Sequence, residues 1–367
     1  MSSDCSERTP VLALKSKDGE IDAVRATAIP AAPVTVMVEL LDDALTNDSR
    51  LKRLAGIGAA AVVAGRPLWV DIGWLNRNLW FGARAEHPLE HLDARIERVL
   101  EERRERDLWN AGTPALVPVI PTAPTERDLF AVRMLLEHTR REVVLRSRGD
   151  RAHLLREIDR VKSTAKLDDG DLHLLLDEGY VSQLDPRQAR GLADTVTAVA
   201  AHHRLASIGL LAGSTPRERN NYETHLRERV EVKLCELVRH QSGFRLRYGD
   251  YGVVHPVPRA PGGRGSPANP YIHYTVPGRS LFIARRNLER RKNGSVPPGS
   301  AQKYFLEVAD ELVRHEEFAG PDFSWGDRQL FHCRYQSSPT IASSPKWIAL
   351  GTSHHLAHLS EGRDARR

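Results

Sequence analysis

The chain has 367 residues, 41% hydrophobic and 28% charged, enough for one large domain with an extension or for two modest domains, each with a real core. Its 53 Lys and Arg against 48 Asp and Glu leave a net charge of +5, too small an excess to signal nucleic-acid binding by itself. Cys5, Cys235 and Cys333 stand far apart with no CxxC spacing, which argues against a zinc site and a disulfide framework, and the longest apolar run, IGAAAVVAG at 57–65, is too short to span a bilayer.

Residues 1–9 are polar, carry no apolar leader core and are expected to be disordered ahead of a soluble, cytoplasmic protein. Short runs rich in Val, Ile and Leu then recur at 10–15, 34–40, 67–73, 114–120, 142–147, 171–177, 205–211 and 244–250. Helix-start chemistry falls between them. Pro88 opens PLEHLDARIERVLEERR, Thr125 heads a capping box, and Asp185-Pro186 and Thr215-Pro216 each pair an N-cap with a proline at the first helical position. Eight such units over 10–256 predict an α/β fold, a (β/α)8 TIM-like barrel. A doubly wound sheet is the rival, but no GxGxxG follows the first strand.

Beyond the barrel, 257–269 reads as a Pro/Gly-rich linker or loop, and 270–367 as a C-terminal α+β extension packed on the barrel. Within the extension the sequence predicts a hairpin turning at Pro277-Gly278, a basic run, and a helix over 300–317.

Strand periodicity locates a candidate site, because alternate residues point into a barrel. In strand two Val34, Val36, Val38 and Leu40 oppose Thr35, Met37 and Glu39. Strand three sets Val70 and Ile72 against Trp69 and Asp71, and strand five sets Val143 and Leu145 against Val144 and Arg146. Strand six opposes Leu172, Leu174 and Leu176 to His173, Leu175 and Asp177, and Lys15 and Lys17 share the parity of Ala13. The uniformly apolar parity suits the helix-facing side, so the charged residues face inward near the strands' C-terminal ends, where barrel enzymes build their sites.

This pattern nominates Glu39, Asp71 and Asp177 as ligands for Mg²⁺ or Mn²⁺, Asp250, Lys15 and Lys17 as catalytic groups, and Arg146, Ser214, Tyr248 and Tyr251 as substrate-binding groups. Ser214 enters through GSTP at 213–216, as an anion-binding helix start. The function expected is a metal-dependent hydrolase or lyase acting on a phosphorylated or other anionic substrate. The alternatives are a binding or sensing module without chemistry, in phage–host conflict for example, and a buried ion-pair network that closes the barrel mouth and binds nothing.

Two further clusters stand out. His354 and His358 are spaced i, i+4 but lack the HExxH glutamate of a zinc helix. Arg285, Arg286, Arg290, Arg291 and Lys292, near Tyr271, Tyr274 and Phe282, offer a surface for single-stranded nucleic acid or simply a solvated charged face.

The segments PVLALKSKDGEIDAV, VELL, YGDY with its following HP, PYIHYT, FSWGD and KWIALGTSHHLAHL, in this order along nearly the whole chain, resemble the beta protein family of bacterial and phage-associated proteins. The resemblance implies no established reaction. It marks Lys15, Lys17, Glu20, Glu39, Asp71, Tyr248, Asp250, Trp325, Asp327, Trp347 and His355 as family-type positions, without catalytic roles.

Overall fold

The computed structural model describes the chain except residues 1–8, 28–32, 81–85, 106–109, 122, 150, 169, 218–221, 259–268, 290–291, 294–296, 298, 334–342 and 363–367, and describes only the backbone of residue 78. The heart of the linker, with Arg259 and Arg264, therefore lies outside the described residues, as do Arg290 and Arg291. The described residues form two compact units, the first drawn from 1–16, 29–213 and 230–251, the second from 17–28, 214–229 and 252–367.

The first unit is a closed barrel of eight parallel strands. They are β1 (Val11–Lys15), β2 (Thr35–Glu39), β3 (Leu68–Asp71), β4 (Leu116–Pro121), β5 (Val143–Arg148), β6 (Leu172–Tyr180), β7 (Ser207–Gly213) and β9 (Arg247–Asp250), each starting within three residues of the start of an expected apolar run. Closure comes from β9 pairing with β1, Val11 opposite Gly249 and Leu12 opposite Asp250. Between these strands run α2 (Asp42–Thr46), α3 (Asp48–Val63), α4 (Arg77–Trp80), α5 (Pro88–Arg103), α6 (Glu126–His138), α7 (Leu154–Ala165), α8 (Pro186–His202) and α9 (Val230–Ser242).

Local chemistry starts several of these helices. Thr125 and Asp128 form the reciprocal capping box of α6, and the Asp185 side chain accepts from the N–H of Arg187 ahead of Pro186 in α8. The barrel interior is packed at mid-height by one parity of the strands: Val11, Ala13, Met37, Trp69, Val117, Val119, Val144, Leu175 and Leu211, with Tyr251 just after β9. This apolar plug separates a charged layer above from a charged layer below.

The second unit contains α1 (Asp18–Ala26), β8 (His225–Glu228), the hairpin β10 (Tyr271–Val276) and β11 (Arg279–Ala284), and helices α10 (Ser300–Arg314), α11 (Trp325–Cys333) and α12 (Ser344–Ser360). The hairpin turns at Pro277-Gly278 as expected, Gly278 taking φ +68°, and β8 joins it in a three-stranded antiparallel sheet of order β10-β11-β8. Its core joins Tyr271, Tyr274, Leu281 and Phe282 to Phe305, Leu312, Leu330 and Trp347. Burial there removes Tyr271, Tyr274 and Phe282 from the role of stacking platform; none is more than 5% exposed.

In the same unit His354 is buried with Nδ1 2.9 Å from Asp327 and Nε2 2.7 Å from the Thr275 carbonyl, and His355 lies 2.7 Å from the Thr275 hydroxyl. His354 and His355 of SHHLAH thus find hydrogen-bond partners, and among the described residues no group of three or more His, Cys, Asp or Glu could hold a metal ion. No helix among the described residues is long and apolar enough to cross a membrane.

Candidate functional site

Strand register assembles the charged layer. Lys15 stands opposite Glu39 and Glu39 opposite Asp71, while Arg148 stands opposite Asp177 across β5 and β6. These side chains share the inward parity of the apolar plug, two residues further toward the C-terminal ends and, for Arg148, four. At Asp177 the pairing shifts from Leu211 to Gly179 opposite Ala212, a bulge at which Gly179 takes φ +61° and its N–H donates to Asp177 Oδ1 at 2.8 Å. The bulge fixes the carboxylate's direction. Asp71 is held likewise, accepting from the Gly73 N–H at 2.5 Å.

Arg146 occupies the centre. Its Nη1 meets Glu39 at 2.9 Å and also pairs with Asp71, its Nε and Nη2 lie 3.0 and 2.9 Å from Asp177 Oδ2, and Nη2 donates to the Tyr251 hydroxyl at 2.7 Å. Tyr251 in turn donates to Asp177 Oδ1 at 2.6 Å. Lys15 Nζ sits 3.1 Å from Glu39 Oε2, and the Trp74 indole N–H donates to Glu39 Oε1 at 2.9 Å. Three carboxylates thus face three cations, Lys15, Arg146 and Arg148, so the set is close to neutral. Lys15, Glu39, Asp71, Arg146, Asp177 and Tyr251 are all buried.

Arg148 differs. Its Nε donates to Asp177 at 2.7 Å and Nη2 to Tyr251 at 3.2 Å, and its guanidinium carbon lies 4.9 Å from the Trp74 ring centroid, yet the side chain is 42% exposed. It is the outermost cation of the cluster.

Burial would raise the Glu39 and Asp177 carboxyls, but the neighbouring cations outweigh it, Lys15 and Arg146 for Glu39 and Arg146 and Arg148 for Asp177, and both are held below the usual range. Burial opposes the charge of Arg146 as well, and the anionic partners hold it well above its ordinary value. Tyr251 is pushed well above 10, first by burial and then by Asp177 and Glu39. These shifts separate the groups into fixed charges and a fixed neutral donor.

Glu39, Asp71 and Asp177 therefore converge as the parity argument expects, but on a guanidinium. The central position that a shared Mg²⁺ or Mn²⁺ would take is filled by Arg146, and the carboxylates do not make a metal-ligating group, so the residues do not fit that cofactor. Tyr251 and Arg146 lie in the cluster with Lys15. Asp250 and Tyr248 do not share its face: Asp250 pairs opposite Leu12 and Tyr248 opposite Leu210, on the outward parity, and the Tyr248 hydroxyl donates to Asp250 at 2.7 Å. The inward residue at the end of this strand is Tyr251.

Lys17 and Ser214 both belong to the second unit. β1 ends at Lys15, so Lys17 does not continue its parity; it is the N-cap residue of α1. No helix begins at Thr215-Pro216. Residues 214–216 are irregular, the Thr215 hydroxyl donates to the Gly252 carbonyl at 3.3 Å, and among the described residues no helix N-terminus directly follows Ser214 to supply anion-binding N–H groups.

Two site residues escaped the sequence reading. Arg148 shares the parity of Arg146 and was lost because the apolar run ends at 147, although β5 continues to Arg148. Trp74 follows β3 and enters only through the turn that Asp71 and Gly73 make. The basic run 285–292 contributes Arg285, which pairs with Glu311, and Arg286, whose guanidinium lies 5.9 Å from the Tyr222 ring; Lys292 is exposed.

None of the curated proteins matches the chain. The family model described as Beta protein matches residues 9–361, nearly the whole length, and the chain belongs to the Beta protein family.

Proposed function

We propose that the barrel is a non-catalytic recognition module that takes a small phosphoryl anion at the C-terminal ends of its strands, with Arg148 as the contacting cation. The observation carrying this reading is the half-exposed Arg148 guanidinium, pre-oriented by Asp177, Tyr251 and Trp74 above a buried and neutralised layer. An incoming phosphate would compete with Asp177 for Arg148, and the buried Arg146 would keep Asp177 compensated. Electrostatics supports a role without chemistry. A general acid or base works best with its pKa near the working pH, whereas Glu39 and Asp177 are driven down, and Arg146 and Tyr251 up, away from neutrality. Cys235 and Cys333 are buried free thiols, which fits a reducing compartment such as the cytoplasm.

Calorimetric titration with inorganic phosphate, a nucleoside monophosphate and a sugar phosphate tests the reading. The expected result is saturable binding of at least one probe without added metal, weakened tenfold or more by Arg148→Ala. Turnover of a phosphoester panel that requires Mg²⁺ or Mn²⁺ would contradict it and restore the hydrolase or lyase reading.

A further inference from the structure

The opposite, N-terminal mouth of the barrel contains a cavity of about 390 Å³, within the size range of small-molecule sites. Its lining includes Arg247, Trp69, His173, Glu142, Arg66 and Thr35, all in the first unit. Parity explains the set. Trp69, on the lower side of the apolar plug, and His173 and Arg247 beneath it are inward residues near the starts of β3, β6 and β9.

Arg247 is 4% exposed, and two of its donors are engaged, Nε to the Thr9 carbonyl at 3.0 Å and Nη2 to the Thr35 hydroxyl at 2.6 Å. Its guanidinium carbon lies 4.7 Å from the Trp69 ring centroid. Among the described residues Nη1 has no hydrogen-bond partner, and no carboxylate stands within ion-pair distance. Burial draws Arg247 down to about 10, with Glu142 pulling it back up from further away. A buried guanidinium held, among the described residues, by a carbonyl, a hydroxyl and an indole face alone is costly to retain. The layer above the plug shows the contrast, since Arg146 there meets three carboxylates.

Glu142 does not discharge this role. It stands on the rim, 53% exposed, with its carboxylate 3.0 Å from His173 Nε2, while His173 Nδ1 lies 2.7 Å from the Ser207 hydroxyl. A single buried guanidinium with no carboxylate at ion-pair distance among the described residues matches one carboxylate group of a ligand. A planar carboxylate also matches the guanidinium's donor fork.

We infer that this cavity is a second binding site, for a small organic monocarboxylate whose carboxylate is received by Arg247. It is independent of the phosphoryl site proposed for the other mouth. The barrel bottom ordinarily serves stability, and a cavity with a buried cation that no described carboxylate compensates is the departure that asks for a ligand.

The test titrates acetate, pyruvate and benzoate into the full chain at constant ionic strength, with inorganic phosphate and benzamide as controls. At least one carboxylate should bind saturably and better than phosphate or benzamide. Arg247→Met should weaken that binding tenfold or more while Arg148→Ala leaves it within twofold. Glu142→Gln, on the exposed rim and safe for folding, should tighten it severalfold by removing the like charge. Should Arg247→Met fail to fold, the Glu142→Gln comparison decides alone. No saturable carboxylate binding, binding indifferent to Glu142→Gln, or binding lost with Arg148→Ala but kept with Arg247→Met would each overturn the inference, the last leaving the C-terminal site standing.

Discussion

Asp128 shows how a single buried carboxylate couples this fold to pH. Burial alone would raise its carboxyl, but the contact with His87, the Thr125 N–H and hydroxyl, both donating at 2.8 Å, and Arg77 at 3.4 Å outweigh it and hold the group at about 2. The folded value lies below the unfolded value of about 3.9, so the stabilisation is fully present above about pH 4 and is lost as the pH falls to about 2. Urea unfolding of Asp128→Asn should show a loss of about 2 kcal/mol at pH 7 that shrinks toward pH 2. An equal loss at both pH values would contradict the assignment. Residue placement in the sequence was legible where parity is unambiguous. Lys15, Glu39, Asp71, Arg146 and Asp177 each oppose a purely aliphatic set, and all five meet in one cluster. In the last barrel strand Leu246, Tyr248 and Asp250 alternate with Arg247, Gly249 and Tyr251, both sets mixed in polarity, and hydrophobicity does not say which faces inward.

At the scale of elements, the eight barrel strands were legible because parallel strands buried on both faces are continuous apolar runs bounded by turn residues. The misread start at Thr215-Pro216 has the same local signal as the true one at Asp185-Pro186. What separates them is tertiary, since Asp185 caps its own helix while Thr215 spends its hydroxyl on Gly252, a residue 37 positions away. Helix packing in the second unit gives a sharper test. A Cβ placed on Gly326 of α11 would collide with the Leu350 carbonyl oxygen of α12, backbone against backbone. Gly326→Ala should therefore lower the stability of the protein by about 1 to 3 kcal/mol, read by chemical denaturation, and a neutral substitution would show that the two helices separate freely.

For the whole molecule, barrel closure was legible from eight repeats of one unit, and the membership of the second unit was not, because three stretches build it, the first two of them separated by residues 29–213. In the barrel's upper layer Arg146 pairs with Glu39, Asp71 and Asp177, which we read as a closed ion-pair network rather than a metal site. Chemical unfolding of Asp71→Asn and Asp177→Asn, each with and without Mg²⁺ or Mn²⁺, separates the two directly. If the carboxylates compensate Arg146, each substitution leaves a buried cation short of a partner and should cost about 3 kcal/mol or more, and the parent protein's stability should not respond to either metal. Variants as stable as the parent or more so, together with a parent protein that either metal stabilises, would contradict the closed network and make Glu39, Asp71 and Asp177 ligands after all.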